Sequence, residues 1–324
     1  MLLERSDTDL ECDEAVVAST PNGQSKPSIT AIILTYNEEV HVERCLRNAF
    51  QVADRVIVID SFSTDGTVLL AKRHGAEIYQ RRFKHQADQL KWALDTIPIS
   101  TEWIIRLDCD EFLEAPAIAE IKDRLPHLDQ SVSAVSFRRK FIFMDQWIKR
   151  GGYYPITLTR LWRRGKANVS QQWMDERIVV ESGRTVSFQR GDIVDHNLKG
   201  IGDWTTKHNR YATRHMIDVV NRSQHVWPSQ CGTDNQKSDR RRRLKYGLFF
   251  RAPLYARTLA YFFYRYLVRL GFLDGKVGLV FHTLHGLWFF LLIDAKLDEA
   301  RRFIAREGFD AFRARLHASE GIEI

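Results

Sequence analysis

Short apolar runs alternate with helix-period stretches over the first third of the chain. Residues 29–34 (ITAIIL), 55–59 (RVIVI), 76–79 (AEIY) and 103–107 (WIIRL) are short and rich in β-branched or aromatic side chains, as buried strands are. The stretches between them have helical spacing. One helix is expected after Asn37, which can cap it, with Val42, Cys45, Leu46 and Ala49 on its inner face. Two more are expected over 68–74 and 84–95. Strands alternating with helices of about ten residues pair in parallel through right-handed crossovers. Ligands of such sheets sit at the carboxyl ends of the strands. Thr35, Asn37, Asp60, Asp108, Asp110 and Glu111 all fall at those ends.

The segment 103–113 (WIIRLDCDEFL) concentrates the candidate chemistry. Three carboxylates closing a buried strand are costly unless something positive lies beside them. A hard divalent cation is the expected partner, because such cations take oxygen ligands and can then grip a diphosphate. The pair Asp7 and Asp9 has the same spacing in a polar tail, so spacing alone does not define the site. No GxGxxG or GxxxxGK[ST] follows any of the strands, which argues against a dinucleotide fold or a P-loop.

Further on, 133–143 (SAVSFRRKFIF) reads as a long strand. Its Arg138, Arg139 and Lys140 form a solvated face or acceptor contacts. A turn at 151–155 precedes a strand at 156–162. Asp175 and Glu176 follow, and Asp195-His196-Asn197 closes another apolar stretch. Residues 203–220 read as a helix with Lys207, Arg210 and Arg214 on one face, toward a diphosphate or toward solvent.

Charge divides the chain. Between Lys237 and Lys276 there are eleven lysines and arginines against Asp239 and Asp274, a net of +9, which leaves −2 for the rest of a chain whose total is +7. A local anionic partner is implied rather than a generally basic protein. A helix opening at Pro253 and reaching about Leu270 sets Arg257, Arg265 and Arg269 opposite Leu259, Phe263, Leu267 and Leu270, the pattern of an interfacial membrane element. Residues 277–293 carry no Lys, Arg, Asp or Glu; at the lower length limit for a span, in-plane or shallow insertion is favoured over crossing. Residues 294–324 read as a charged helix and tail. The acidic residues 1–27 read as a disordered tail, with no secretory signal. The isolated Cys12, Cys45, Cys109 and Cys231 fit a reducing compartment and offer no zinc site.

Three motifs, ILTYNEE (33–39), VIDSFSTDGT (58–67) and LDCDEFL (107–113), in this order and at these separations, resemble the family 2 glycosyltransferases over about residues 28–215. Phe62 interrupts the second motif. The resemblance extends to bacterial lipopolysaccharide-core and surface-glycan glucosyltransferases. It implies a GT-A fold, an α/β architecture with a Rossmann-like, mostly parallel central sheet flanked by helices, here with a C-terminal amphipathic helical extension. It places Thr35, Asn37, Glu38 and Asp60 at the nucleotide, Asp108 at the ribose and metal, Asp110 as metal ligand, His196 as a further ligand and Lys207 at the diphosphate. Glu176, or Asp175, becomes the base that deprotonates the acceptor, where the subgroup commonly carries His-Glu. The plainer alternatives are turn or helix capping for Asn37 and Asp60, a strand-start acid paired with Arg177 for Glu176, and a structural role for His196.

The function so implied is a metal-dependent (Mg²⁺ or Mn²⁺), inverting transfer of a hexose from a nucleotide sugar to a glycan or lipid-linked acceptor. UDP-glucose is the first candidate donor, and the setting is the cytoplasmic face of a bacterial inner membrane with an anionic surface. The expected organisation is a tail (1–27), a catalytic domain (28–222), a linker (223–239) and a membrane-associating region (240–324). Truncation after Asn235 is expected to give a soluble catalytic domain. The rivals are a nucleotidyltransferase, which would want a Gly-rich basic first loop; a nucleic-acid-binding module using 240–245; and a membrane scaffold with an inactive sheet.

Overall fold

The computed structural model describes residues 26–170, 172–174, 176–223 and 252–322. The tail up to residue 25, Asp175, and the linker and arginine run within 224–251 lie outside the described residues, and the readings made of them stand as expectations.

The alternating first third folds as its pattern predicts. Strands β1 (Ile29–Thr35), β2 (Arg55–Asp60), β3 (Glu77–Gln80) and β4 (Trp103–Asp108) pair in parallel in the order β3-β2-β1-β4. Helices α1 (Glu39–Ala49), α2 (Thr67–Arg73) and α3 (Gln86–Thr96) make the crossovers. The sheet continues through β8 (Ile156–Arg163), β6 (Val132–Phe143), β11 (Arg184–His196) and β5 (Glu111–Leu113), with the short β7 (Gln146–Trp147) on β6. β8 runs antiparallel to both β4 and β6, and β11 runs parallel to β6. β6 and β11 therefore share the direction of β1, β2 and β4. The carboxyl end of β11, at His196, opens on the same edge of the sheet as Thr35, Asp60 and Asp108. β9 (Ala167–Val169) and β10 (Ile178–Val180) form a separate hairpin.

Strand alternation divides the core into two layers. Ala31, Ile33, Val56, Val58, Trp103, Ile105 and Leu107 pack beneath α1, α2 and α4 (Ala115–Arg124). Ile32, Ile57, Ile59 and Ile104 pack on the other face with Ala87, Leu90 and Ala93 of α3. Each large apolar side chain buried this way stabilises by about 1.5–3 kcal/mol. One local expectation fails. Asn37 does not cap α1: the helix starts after Glu38 with no side-chain cap, and Asn37, at φ 53, bonds to the neighbouring loop instead.

The C-terminal helices pack onto α5 (Ile201–Ser223) and the β6–β7 hairpin. α6 (Ala256–Phe263) runs on through a π-helical stretch, Tyr264–Val268, to a 3₁₀ turn at Gly271–Asp274. From there α7 (Gly275–Phe281), a π-helical stretch His282–Trp288 and α8 (Phe289–Glu307) form one long rod, followed by α9 (Phe309–Glu320). The run Gly271–Glu307 is long and apolar enough to cross a membrane by length and composition. In this fold one side of it is occupied by protein. Phe281 packs on Phe141, Phe143 and Tyr153, Phe289 on His208, and Leu297 joins Met216, Ile217 and Val220 of α5. His282 fits against Gly151, where a Cβ would lie 2.0 Å from the imidazole and where φ is +67, so any other residue is excluded on two counts.

The arginine face of α6 departs from expectation. Arg257 is buried and ion-paired with Asp294, whose other oxygen accepts from Thr258 at 2.8 Å. Arg265 donates to the Gly151 carbonyl at 2.7 Å and lies over the Tyr153 ring. These two charges hold the helix to the protein rather than facing headgroups.

Candidate active site

Side chains stitch together the two loops leaving β1 and β2. The buried Asp60 carboxylate accepts from Thr35 Oγ1 at 3.1 Å, the Ser63 N–H at 2.9 Å, Gln80 Nε2 at 3.1 Å and the Ser63 hydroxyl. Asn37 Oδ1 accepts from the Thr64 N–H at 2.8 Å, and its own N–H donates to Ser63 Oγ. The Glu38 N–H donates to Thr67 Oγ1, and its carboxylate meets His41 Nδ1 at 2.6 Å and Lys199 at 3.2 Å. Thr35, Asn37, Glu38 and Asp60 thus form one wall. Their mutual bonds shape the loops. Phe62, which interrupts the motif, sits at φ 60 with its ring exposed.

Strand β4 carries a positive charge where its apolar face should continue. Ile104, Arg106 and Asp108 share one face by strand alternation. The buried Arg106 Nη2 donates to Asp108 Oδ1 at 2.9 Å and to Glu176 Oε1 at 2.6 Å. From β8, Arg160 Nη2 donates to Asp108 Oδ2 at 3.2 Å and to Glu111 Oε1 at 2.5 Å. The chain's own arginines thus supply positive charge beside these acids. Burial alone would raise the Asp108 pKa; Arg106 and Arg160 outweigh it and hold that acid well below the usual carboxylate range. Glu111 is shifted upward, because its burial outweighs Arg160. Glu176 pairs with Arg106.

Asp110 stands apart from the two arginines. Its Oδ2 accepts from Asn197 Nδ2 and from Lys207 Nζ, each at 3.3 Å. Lys207 projects from α5 and has its pKa raised well above the ordinary value, chiefly by Asp110. Arg44 ties the Asp110 and His196 carbonyls together at 3.2 and 2.6 Å. Asp195 is pushed up to about 7, first by burial and then by the nearby Asp110. The His196 ring is turned to Asp145 at 3.2 Å and Arg44 at 3.4 Å. Among the described residues no three His, Cys, Asp or Glu side chains form a ready-made metal cluster. The donor set still suits a cation that completes its shell with substrate oxygens: Asp110 and Asp195 repel one another, and Mg²⁺ commonly uses one or two carboxylates plus phosphates.

Residues 30–191, half of the chain, match the glycosyl transferase family 2. The chain belongs to this family. Among its relatives, the lipopolysaccharide core biosynthesis glycosyltransferase LpsC of Rhizobium meliloti is 24% identical over 269 residues, 79% of this chain and 89% of that protein. An uncharacterised glycosyltransferase of Rickettsia bellii is 35% identical over 100 residues, 31% of this chain and only 32% of that relative's length. Among solved structures, glucosyl-3-phosphoglycerate synthase of Mycobacterium tuberculosis, crystallised with Mn²⁺ and UDP, aligns over 36% of this chain and 44% of its own, at 19% identity and a TM-score of 0.28.

The family 2 match takes in β1 to β11 as far as residue 191, and with them both loop walls and the carboxylates of β4. The fold is GT-A-like, a mixed sheet between helical layers. The residues that sequence reasoning missed are Arg106, Arg160 and Arg44. The signal for Arg106 was in plain view: a single charge inside a run that otherwise reads as a buried strand.

Proposed function

We propose that this family 2 enzyme transfers a hexose, with UDP-glucose the first candidate donor, to a glycan or lipid-linked acceptor of bacterial lipopolysaccharide or surface polysaccharide. The setting is the cytoplasmic face of the inner membrane, against an anionic lipid surface, and the transfer inverts the anomeric centre. The observation that carries the reading is Asp110, held beside Lys207 and Asn197 at the same sheet edge as Thr35, Asn37, Glu38 and Asp60. The LPS-core name of LpsC supports the acceptor class.

A bound Mg²⁺ or Mn²⁺ would neutralise the leaving diphosphate, and Asp110, with Asp108 and His196, would hold it. The Asp60 wall receives the nucleoside. Lys207, now on Asp110, is placed to follow the diphosphate charge. Glu176, or Asp175, takes the proton of the acceptor hydroxyl as its oxygen bonds to the anomeric carbon. The bond from that carbon to the diphosphate oxygen breaks, and its electron pair leaves with the diphosphate. Arg106 fixes the Glu176 carboxylate for that step.

A panel of nucleotide sugars, scored with the purified chain for hydrolysis and for protection against heat with and without Mn²⁺, tests the reading. Selective, metal-dependent turnover of one UDP-sugar is expected. Salt-sensitive nucleic-acid binding with no effect of any nucleotide sugar would support the basic-module alternative instead.

A further inference from the structure

We infer that the helical hairpin tip around Gly271–Asp274 is the part of the molecule that enters an anionic lipid bilayer. The inference deepens the membrane setting proposed above and rests on it. Leu259, Phe263 and Leu267, four residues apart along α6 and its π-helical extension, are 48%, 52% and 50% exposed. Beyond them, Val268, Phe272 and Leu273 at the turn are 68%, 42% and 53% exposed. A contiguous apolar surface of this kind is uncommon on a soluble monomer and marks an interaction site.

The charges of the same segment are sorted. Arg257 and Arg265 turn inward, as described above. Asp274, the acid of the turn, is also buried, and its carboxylate accepts from the Arg150 N–H at 2.8 Å. Within the tip segment itself the exposed charged side chains are Arg269 and Lys276, and the adjoining β6–β7 hairpin with the residues just after it exposes Lys149 and Arg150 against the one acid Asp145. An apolar tip bordered by cations matches acyl chains beneath anionic headgroups. A second copy fits less well, because a two-fold interface through this tip would set the same cations against each other.

The tip is also tied to the active site. The Asp274 carbonyl accepts from Gln146 Nε2 at 2.6 Å, and the next residue back along the hairpin, Asp145, meets the His196 ring at 3.2 Å. A tip seated in lipid would thus fix the catalytic edge relative to the bilayer, where a lipid-linked acceptor presents its sugar.

The test uses the full chain and vesicles of phosphatidylcholine with or without phosphatidylglycerol, read by co-sedimentation. The parent should bind the anionic vesicles and bind the neutral ones less. Leu267→Asp with Phe272→Asp should lower partitioning roughly a hundredfold, as the loss of two half-exposed anchors implies, while UDP binding stays at the parent level. Val268→Ser with Leu273→Ser serves if the first pair folds poorly. Equal binding by parent and tip variants overturns the tip assignment and leaves the membrane setting standing. A parent that ignores vesicles overturns both. A parent that ignores vesicles but sediments as a dimer, which the tip variants break, assigns the face to a second copy.

Discussion

The Arg106 guanidinium reaches Glu176 at 2.6 Å across 70 positions of chain and also holds Asp108. One buried cation thereby joins the residue expected at the ribose and metal to the residue expected as base. Removing it leaves two acids in a dry setting, with only Arg160 left on Asp108. Arg106→Met should cost about 3–5 kcal/mol of stability, the usual effect of orphaning a buried charge. Urea unfolding measures it, and a loss below about 1 kcal/mol would mean that water or a shifted side chain compensates the acids.

Asp110 is the test of the metal. Asp110→Asn keeps an oxygen for Asn197 and Lys207, so the fold should persist. Calorimetry with UDP and Mn²⁺ should show binding lost at concentrations that saturate the parent. A variant that binds UDP with Mn²⁺ as the parent does sinks the assignment.

Glu176→Gln separates position from chemistry. The amide oxygen can still accept from Arg106, so the side chain should stay in place. Turnover should fall by about 10²–10⁴, the usual contribution of a general base, with donor binding little changed. Near-normal turnover moves the role to Asp175, and activity in Asp175→Asn as well would remove the pair from the mechanism.

The parallel half of the sheet was legible because buried parallel strands announce themselves as short unbroken apolar runs. The helices between were legible from their period. The charge balance was not. Arg106 lies within such a run, and Arg160 reaches Asp108 only because β8 pairs antiparallel to β4, a long-range choice that no local pattern records. The orientation of α6 shows the same limit. Periodicity separates its arginine face from its leucine face without saying which one turns inward. Asp294 and the Gly151 carbonyl decide it, and both lie far along the chain.

Buried histidines set an acid limit. His85, His208 and His282 are each lowered to about 4, mainly because burial disfavours their charged forms. Unfolded histidine titrates near 6.5. Between these values the unfolded chain binds more protons than the folded one. The contribution is therefore fully present above about pH 6.5 and is lost as pH falls through about 4. The thermal midpoint should drop over that window. His85 Nδ1 accepts from the Asp88 N–H at the start of α3, and His85→Asn keeps an acceptor there while removing the titration. Its midpoint should fall less steeply with acid; an unchanged slope would exclude His85 as a contributor.

The packing of the C-terminal helices changes what truncation should do. The sequence suggests a chain cut after Asn235 as a soluble catalytic domain. In the fold, that cut removes Phe281, which covers Phe143 and Tyr153, and Leu297, which covers Met216, Ile217 and Val220. It also leaves Gly151 without Arg265 and His282. The newly bared surface is apolar and lies in part on α5, the helix that carries Lys207 to Asp110. The truncated chain should aggregate or bind a hydrophobic dye strongly, and its UDP affinity should fall as α5 loosens. Substitutions confined to the tip should instead leave both properties near those of the parent. Size-exclusion chromatography and dye fluorescence of the two variants side by side decide the matter. A monomeric, dye-silent truncation with full UDP binding would show that the C-terminal helices only dock on a self-sufficient domain.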